Sequence, residues 1–178
     1  MFIDAKDVTK VTFVLFCSAL LVSVGCSSRK GVVEKYTKEG ETAATTQRAT
    51  DAEGYYLSAV ERSKSLDSAT QAEALYNLGR FYRQQARFAE AARALEQSGS
   101  LARNTPQTTD GAHARRDLEL ARCYAAMNRW QEGAVALRRS ASGWGALSAE
   151  EGKDARALSA VYFERLQQLG LDSAGLPQ

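Results

Sequence analysis

Two segments of the chain carry the same order of small and large residues at the same spacing. The copies begin at Ala72 and at Ala114. At the shared positions the first copy has Leu78, Gly79, Tyr82, Phe88, Ala91, Leu95 and Ser98. The second has Leu120, Ala121, Tyr124, Trp130, Gly133, Leu137 and Ser140. Small residues where two helices cross, with large apolar residues filling the space around them, predict a packed pair of helices in each copy.

This pattern resembles the tetratricopeptide repeat (TPR), a 34-residue helix–turn–helix unit. The resemblance implies an all-α fold: a short TPR-like α-solenoid of antiparallel helix pairs, with two clear repeats and flanking helices. The two copies are 42 residues apart, and the added length lies in the loop over 102–110. A third match starting at Val33 is weaker, because Glu39 and Ala43 do not fit. Residues 33–66 therefore form a degenerate repeat, or else a flexible tether covers residues 27–50 and one helix follows it.

A further helix is predicted over 149–168, because Ser148 and Glu151 have the spacing of a capping box at its start. Five apolar residues line one face of this helix: Leu158, Val161, Tyr162, Leu166 and Leu169. The pattern is typical of the terminal helix that keeps the end of a repeat array soluble. Thr50 and Glu53 form a second capping-box pattern. We expect the TPR-like domain over 51–170 and a flexible tail over 171–178.

The first 25 residues are typical of a secretory signal peptide, with an uncharged apolar run over 11–25. Fifteen helical residues span about 22 Å, whereas a membrane crossing takes about 20 residues. An uncleaved membrane anchor is therefore the alternative interpretation.

Gly25 and Cys26 resemble the cleavage site of a bacterial lipoprotein. That resemblance implies that Cys26 carries fatty acyl groups such as palmitate. Ser27, in place of Asp, implies the periplasmic face of the outer membrane. Residues 26–50 would then hold the lipid-attachment site and the tether or degenerate repeat. Ser23, Val24 and Gly25 also fit an ordinary signal-peptidase site, which leaves a soluble periplasmic protein as the alternative.

Several classes of function are disfavoured by composition and motifs. The formal net charge of +2 is too small to indicate nucleic-acid binding. Loss of Cys17 with the signal and lipidation of Cys26 would leave Cys123 alone, so no internal disulfide is expected. The sequence has no nucleophile or phosphate-loop motif, and His113 has no neighbours at ligand spacing. We therefore expect no enzyme activity, no cofactor and no metal.

The TPR resemblance implies a concave groove lined by the first helix of each repeat. The residues carried over to this groove are Tyr76, Arg80, Arg83, Gln84, Arg115, Arg122 and Arg156, with Glu73, Leu118 and Lys153 at related positions. Because a guanidinium matches a carboxylate, these residues predict an acidic peptide or a chain-terminal carboxylate as ligand, with Tyr76 as an aromatic platform. The alternative is that the arginines only solvate a helix face.

Together these features predict a membrane-anchored periplasmic protein–protein interaction module. Such a module would act as an adaptor or assembly factor for an envelope complex, such as a pilus or secretion apparatus. The alternatives are a self-associating structural scaffold of the envelope, a soluble periplasmic TPR protein without lipid, and a small enzyme with a dispersed site.

Overall fold

The computed structural model describes residues 29–103, 105 and 109–177, and this part of the chain is helical without strands. It contains α1 over 29–45, α2 (Ala49–Ser63), α3 (Ser68–Gln84), α4 (Phe88–Arg103), α5 (Asp110–Ala126), α6 (Trp130–Ser140), a 3₁₀ helix (Ala141–Ala146) and α7 (Ala149–Gln168). The predicted signal peptide and Cys26 lie outside the described residues. No described helix is long and apolar enough to cross a membrane.

The hairpins α1–α2, α3–α4 and α5–α6 all turn in the same way. The turn residues Gln47, Ala86 and Asn128 have left-handed backbones, with φ of 59°, 56° and 58°. The residue after each of these turn residues is an arginine, and its backbone amide donates at 2.9 Å to the carbonyl five residues earlier. This is the Schellman arrangement that ends helices. Residues 29–45 are therefore the first helix of a repeat-like hairpin, and a flexible tether does not describe them.

The first two hairpins each cross where a glycine faces a large side chain. A Cβ on Gly79 would lie 2.7 Å from Leu95, and a Cβ on Gly40 would lie 3.1 Å from the ring of Tyr56. Leu95 and Tyr56 are both buried. The close crossing predicted at Gly79 is thus present, and α1–α2 repeats it.

The third crossing is filled from outside its own hairpin, by Tyr162 of α7. A Cβ on Gly133 would lie 1.8 Å from the Tyr162 hydroxyl oxygen. Tyr162 is completely buried, and its hydroxyl donates to the Ala121 carbonyl at 2.6 Å. Its ring also meets Trp130 edge-on, with centroids 5.3 Å apart. α7 therefore closes this end of the array by inserting one side chain between α5 and α6.

The predicted start of α7 is confirmed. The Ser148 hydroxyl accepts from the Glu151 amide at 3.2 Å, and the Glu151 carboxylate accepts from the Ser148 amide at 2.8 Å. The packed face of α7 is narrower than its sequence pattern indicated. Leu166 is buried, but Val161 and Leu169 are 51% and 46% exposed.

The second predicted capping box, at Thr50 and Glu53, does not form. α2 begins after Arg48 with no side-chain cap. The Glu53 carboxylate instead accepts from Arg87 at 2.7 Å and from the Tyr82 hydroxyl at 3.1 Å. The Glu53 carboxylate therefore contacts the α3–α4 hairpin and does not cap the start of α2.

The C-terminal segment packs against the array, contrary to the flexible tail expected over 171–178. Leu176 is 7% exposed and belongs to the main core. Arg138 of α6 donates to two carbonyls of the segment, at 2.9 and 3.3 Å. Ser159 of α7 donates to the Pro177 carbonyl. The segment thus covers apolar surface that α6 and α7 leave open.

Candidate functional site

Two cavities lie on the face formed by the first helices of the hairpins and by α7. The first cavity, of about 620 Å³, lies between α1, α3 and the start of α5. The second cavity, of about 360 Å³, lies between α3, α5 and α7. Both volumes are typical of ligand-binding clefts. This face, with its two cavities, is called the groove below.

The second cavity brings together four of the predicted site residues: Tyr76, Arg80, Arg115 and Arg122. Leu118 also lines it, although most of this side chain is buried. The TPR register carried over to α3 and α5 therefore places these side chains on one surface.

Three of the predicted cations form ion pairs with two carboxylates of neighbouring residues. Glu119 is buried, with 7% of the residue exposed. Its carboxylate accepts hydrogen bonds from Arg83 and, at 2.7 Å, from Arg122. Glu151 accepts from Arg115 at 2.6 Å. The arginine side chains that suggested an acidic ligand are thus largely occupied by carboxylates of neighbouring helices, which sequence reasoning did not include in the site.

Tyr76 is enclosed by cations and does not form an open platform. The guanidinium carbons of Arg80 and Arg116 each lie 5.7 Å from its ring centroid, within range of a cation–π interaction. Burial raises the pKa of the Tyr76 hydroxyl. Arg80 is exposed and has no carboxylate partner in the part of the chain that the structure describes.

Arg83, Gln84 and Arg156 line neither cavity. Arg83 is partly buried, whereas Gln84 at the end of α3 and Arg156 on α7 are exposed. The sequence predicts Lys153 at a groove position of α7, but the structure has Asp154 there, so the predicted register is one residue early. Counted from the first residue of each helix, Asp154 corresponds to Arg115 in α5 and to Glu73 in α3. Asp154 and Glu151 line the second cavity, so α7 adds carboxylates where the prediction had cations.

The first cavity contains residues that the sequence prediction missed. α1 contributes Glu34, Thr37, Lys38 and Glu41 to its lining. A signal was present: with Val33 as position one, three of these occupy the groove positions two, five and nine. The match of α1 to the repeat is too weak for the sequence alone to predict these groove residues.

Arg116 lines the first cavity and also a neighbouring cavity between α4, α5 and α6, and it is only 3% exposed. Its Nε donates to the Ser98 hydroxyl at 2.6 Å, and Ser98 donates to the Ala72 carbonyl at 2.5 Å. Burial lowers the pKa of the guanidinium. No described carboxylate forms an ion pair with it. This chain of hydrogen bonds joins α3, α4 and α5.

The side chains of Cys123, His113 and Trp144 have roles in the fold. Cys123 is completely buried, and burial raises the pKa of its thiol to about 12, so it is not a nucleophile at neutral pH. His113 is partly buried in the first turn of α5. Trp144 packs against the core and donates to the Ser140 hydroxyl at 2.9 Å. Among the residues with described positions, no group of three His, Cys, Asp or Glu side chains could hold a metal.

Residues 74–107 match the sequence model of the tetratricopeptide repeat. No curated protein matches the chain. Among solved structures, the N-terminal domain of stress-induced protein-1 from C. elegans is similar, with a TM-score of 0.59 and 18% identity, over 73% of this chain and 96% of that one.

A kinesin light chain with nearly identical TPR-like repeats from Podosopora anserina has a TM-score of 0.57 and 18% identity, over 76% of this chain and 72% of that one. At this level of identity the likeness concerns the fold. The chain is therefore an all-α, TPR-like solenoid, as predicted, whose α3–α4 hairpin carries the tetratricopeptide-repeat sequence.

Proposed function

We propose that this protein is a non-catalytic interaction module that binds a peptide segment of a partner protein in its groove. The observation that carries this proposal is the pair of cavities along successive first helices. An extended or helical segment laid across α1, α3, α5 and α7 would contact both. TPR-like folds serve such binding through curved surfaces built by successive repeats.

In-cell photo-crosslinking tests where the partner binds. p-Benzoylphenylalanine in place of Arg80, which lines the second cavity, should yield adducts with one partner. The matched control has the same amino acid in place of Arg93, which is exposed on α4, the second helix of the α3–α4 hairpin. Equal adducts at both sites, or adducts at Arg93 alone, would show that the partner does not bind in the groove.

Charge reversal gives an independent test. Arg80→Glu should abolish capture of that partner while leaving the far-UV circular dichroism unchanged, because Arg80 is exposed and has no described ion pair to lose. Arg122 is a poorer choice, because its reversal would also break the pair with Glu119. Undiminished capture by the Arg80→Glu variant would contradict a contact at the second cavity.

We further propose that Cys26 anchors the module by lipid to the periplasmic face of the outer membrane, where it would assist assembly of an envelope complex. Two or more acyl chains anchor a protein stably, whereas one does so only marginally. Metabolic labelling with a fatty acid should mark the protein, and the Cys26→Ser variant should be unlabelled. An unlabelled wild-type protein recovered in the periplasmic fraction would instead support the soluble alternative.

Self-association is the second candidate, and the exposed apolar residues of α7 favour it. Val161 and Leu169 are about half exposed at the end of the array. If the protein is a scaffold, sedimentation equilibrium of the purified chain should show dimers or larger species, which Val161→Asp should dissociate. A monomer at all concentrations tested would exclude this function.

A further inference from the structure

We propose that the first cavity binds a lysine or arginine side chain of the partner peptide, with Glu34, Glu41 and Glu73 as its counter-charges. This inference rests on the proposed function, since it assigns the chemistry of the segment held in the groove. It reverses the acidic ligand that the arginine-rich sequence suggested.

The floor of the first cavity suits the aliphatic part of a long basic side chain. It includes Val33, Ala72 and Ala74, which are 5%, 2% and 2% exposed. Ala69 and Ala112 also line it and are partly buried. Lysine and arginine lay their methylene stems along apolar surface and keep the charged head at a polar rim.

The rim of the same cavity carries the unpaired negative charge. Glu34 and Glu41 of α1 and Glu73 of α3 all line it and are all exposed. None of the three forms an ion pair within the described ranges, although Glu73 lies within electrostatic range of Arg115 and Arg116. Glu119 and Glu151 at the second cavity differ, because arginines already occupy them.

The lining of the first cavity also includes two cations, but its net charge remains negative. Three carboxylates against Lys38 and Arg116 give a net charge of −1, in a chain whose formal net charge is +2. Opposite charge at a cleft raises the local concentration of a complementary ligand. The first cavity is thus a negative site on a weakly positive protein.

Arg116 adds a second contact point of a different kind. Its Nε is bonded to Ser98 and its Nη1 to the Ala112 carbonyl at 3.4 Å. Its Nη2 makes no hydrogen bond to any described residue. A guanidinium is only a donor, so its natural partner in a bound peptide is a backbone carbonyl. The peptide would thus give a carbonyl to Arg116 and a basic side chain to the rim of the first cavity.

A positional-scanning peptide library tests this assignment. Nonapeptides with acetylated and amidated ends, each with one position fixed as Lys, Arg, Asp, Glu or Ala, are passed over the full chain immobilised in mild detergent. We expect enrichment of Lys or Arg over Asp and Glu at one position. Loss of one exposed ion pair weakens binding by only a few-fold. The Glu34→Gln, Glu41→Gln, Glu73→Gln triple variant should therefore bind the selected peptide about tenfold more weakly.

The control is the Glu150→Gln, Glu164→Gln variant, which removes exposed carboxylates of α7 that line neither cavity. It should retain wild-type affinity. Enrichment of Asp or Glu, no charge preference, or equal weakening in both variants would overturn the basic-ligand assignment while leaving peptide binding intact. Failure to retain any peptide would overturn the proposed function as well.

Discussion

Replacing Gly133 by alanine should destabilise the protein by about 2–4 kcal/mol, although alanine favours helices. The added Cβ would lie 1.8 Å from the hydroxyl oxygen of Tyr162 and 2.6 Å from its ring carbon Cζ. Because Tyr162 is completely buried against Trp130 and hydrogen-bonded to Ala121, its ring can move only by disturbing these contacts.

The magnitude follows from three contributions. Forcing an additional carbon into a packed core costs about 1–3 kcal/mol. If the ring moves, the Tyr162 hydroxyl and the Ala121 carbonyl lose their hydrogen bond in the interior, which costs about 1–3 kcal/mol. Alanine returns about 1 kcal/mol through its higher helix propensity than glycine. The net loss is a large part of the 5–15 kcal/mol that stabilises an ordinary domain.

Urea unfolding followed by circular dichroism measures this change. Gly54→Ala is the matched control, because Gly54 is an exposed residue of α2 and a Cβ there would meet nothing within 4 Å. It should stabilise the protein by about 0.5–1 kcal/mol. In a Tyr162→Phe background, which lacks the oxygen at 1.8 Å, Gly133→Ala should cost less. Wild-type stability of the Gly133→Ala variant would refute the reasoning.

Three further changes test other parts of the structure. Ala86→Gly should stabilise the protein by about 0.5–1 kcal/mol in urea, because Ala86 has a φ of 56° that glycine adopts without strain; lower stability would contradict this. Arg115 holds the pKa of Glu151 at about 2, below its ordinary value of 4.5. The stabilisation from this pair is therefore complete above pH 4.5 and is lost as the pH falls toward 2. Glu151→Gln should flatten this part of an acid-unfolding curve, and an unchanged curve would contradict the pairing. Leu176→Ala should lower stability by about 2 kcal/mol in thermal unfolding, whereas Asp172→Asn, at an exposed position, should change it little; equal effects would show that the C-terminal segment does not pack.

The sequence predicts those features that depend on local pattern and spacing. The crossing at Gly79 and the start of α7 at Ser148 follow from residues within one hairpin or one turn. The αL turns were not predictable in this way, because Gln47, Ala86 and Asn128 occupy positions where glycine is the usual signal.

The groove charges could not be predicted from a single helix. Arg83 pairs with Glu119, and Arg115 pairs with Glu151, in both cases 36 residues away. Only the packing of successive first helices shows that these arginines have partners. Carrying over arginine positions without the facing carboxylates therefore overstated the positive charge of the site.

Glu119 has a consequence for how the groove recognises its ligand. By holding Arg83 and Arg122 together, it fixes two long side chains before any ligand arrives. A free arginine has about 2 kcal/mol of rotamer entropy, and here much of that entropy is lost during folding and not during binding. A preorganised wall of this kind favours selection by shape over adaptation to many ligands. The flanks of the second cavity should accordingly look alike in the free and the bound protein.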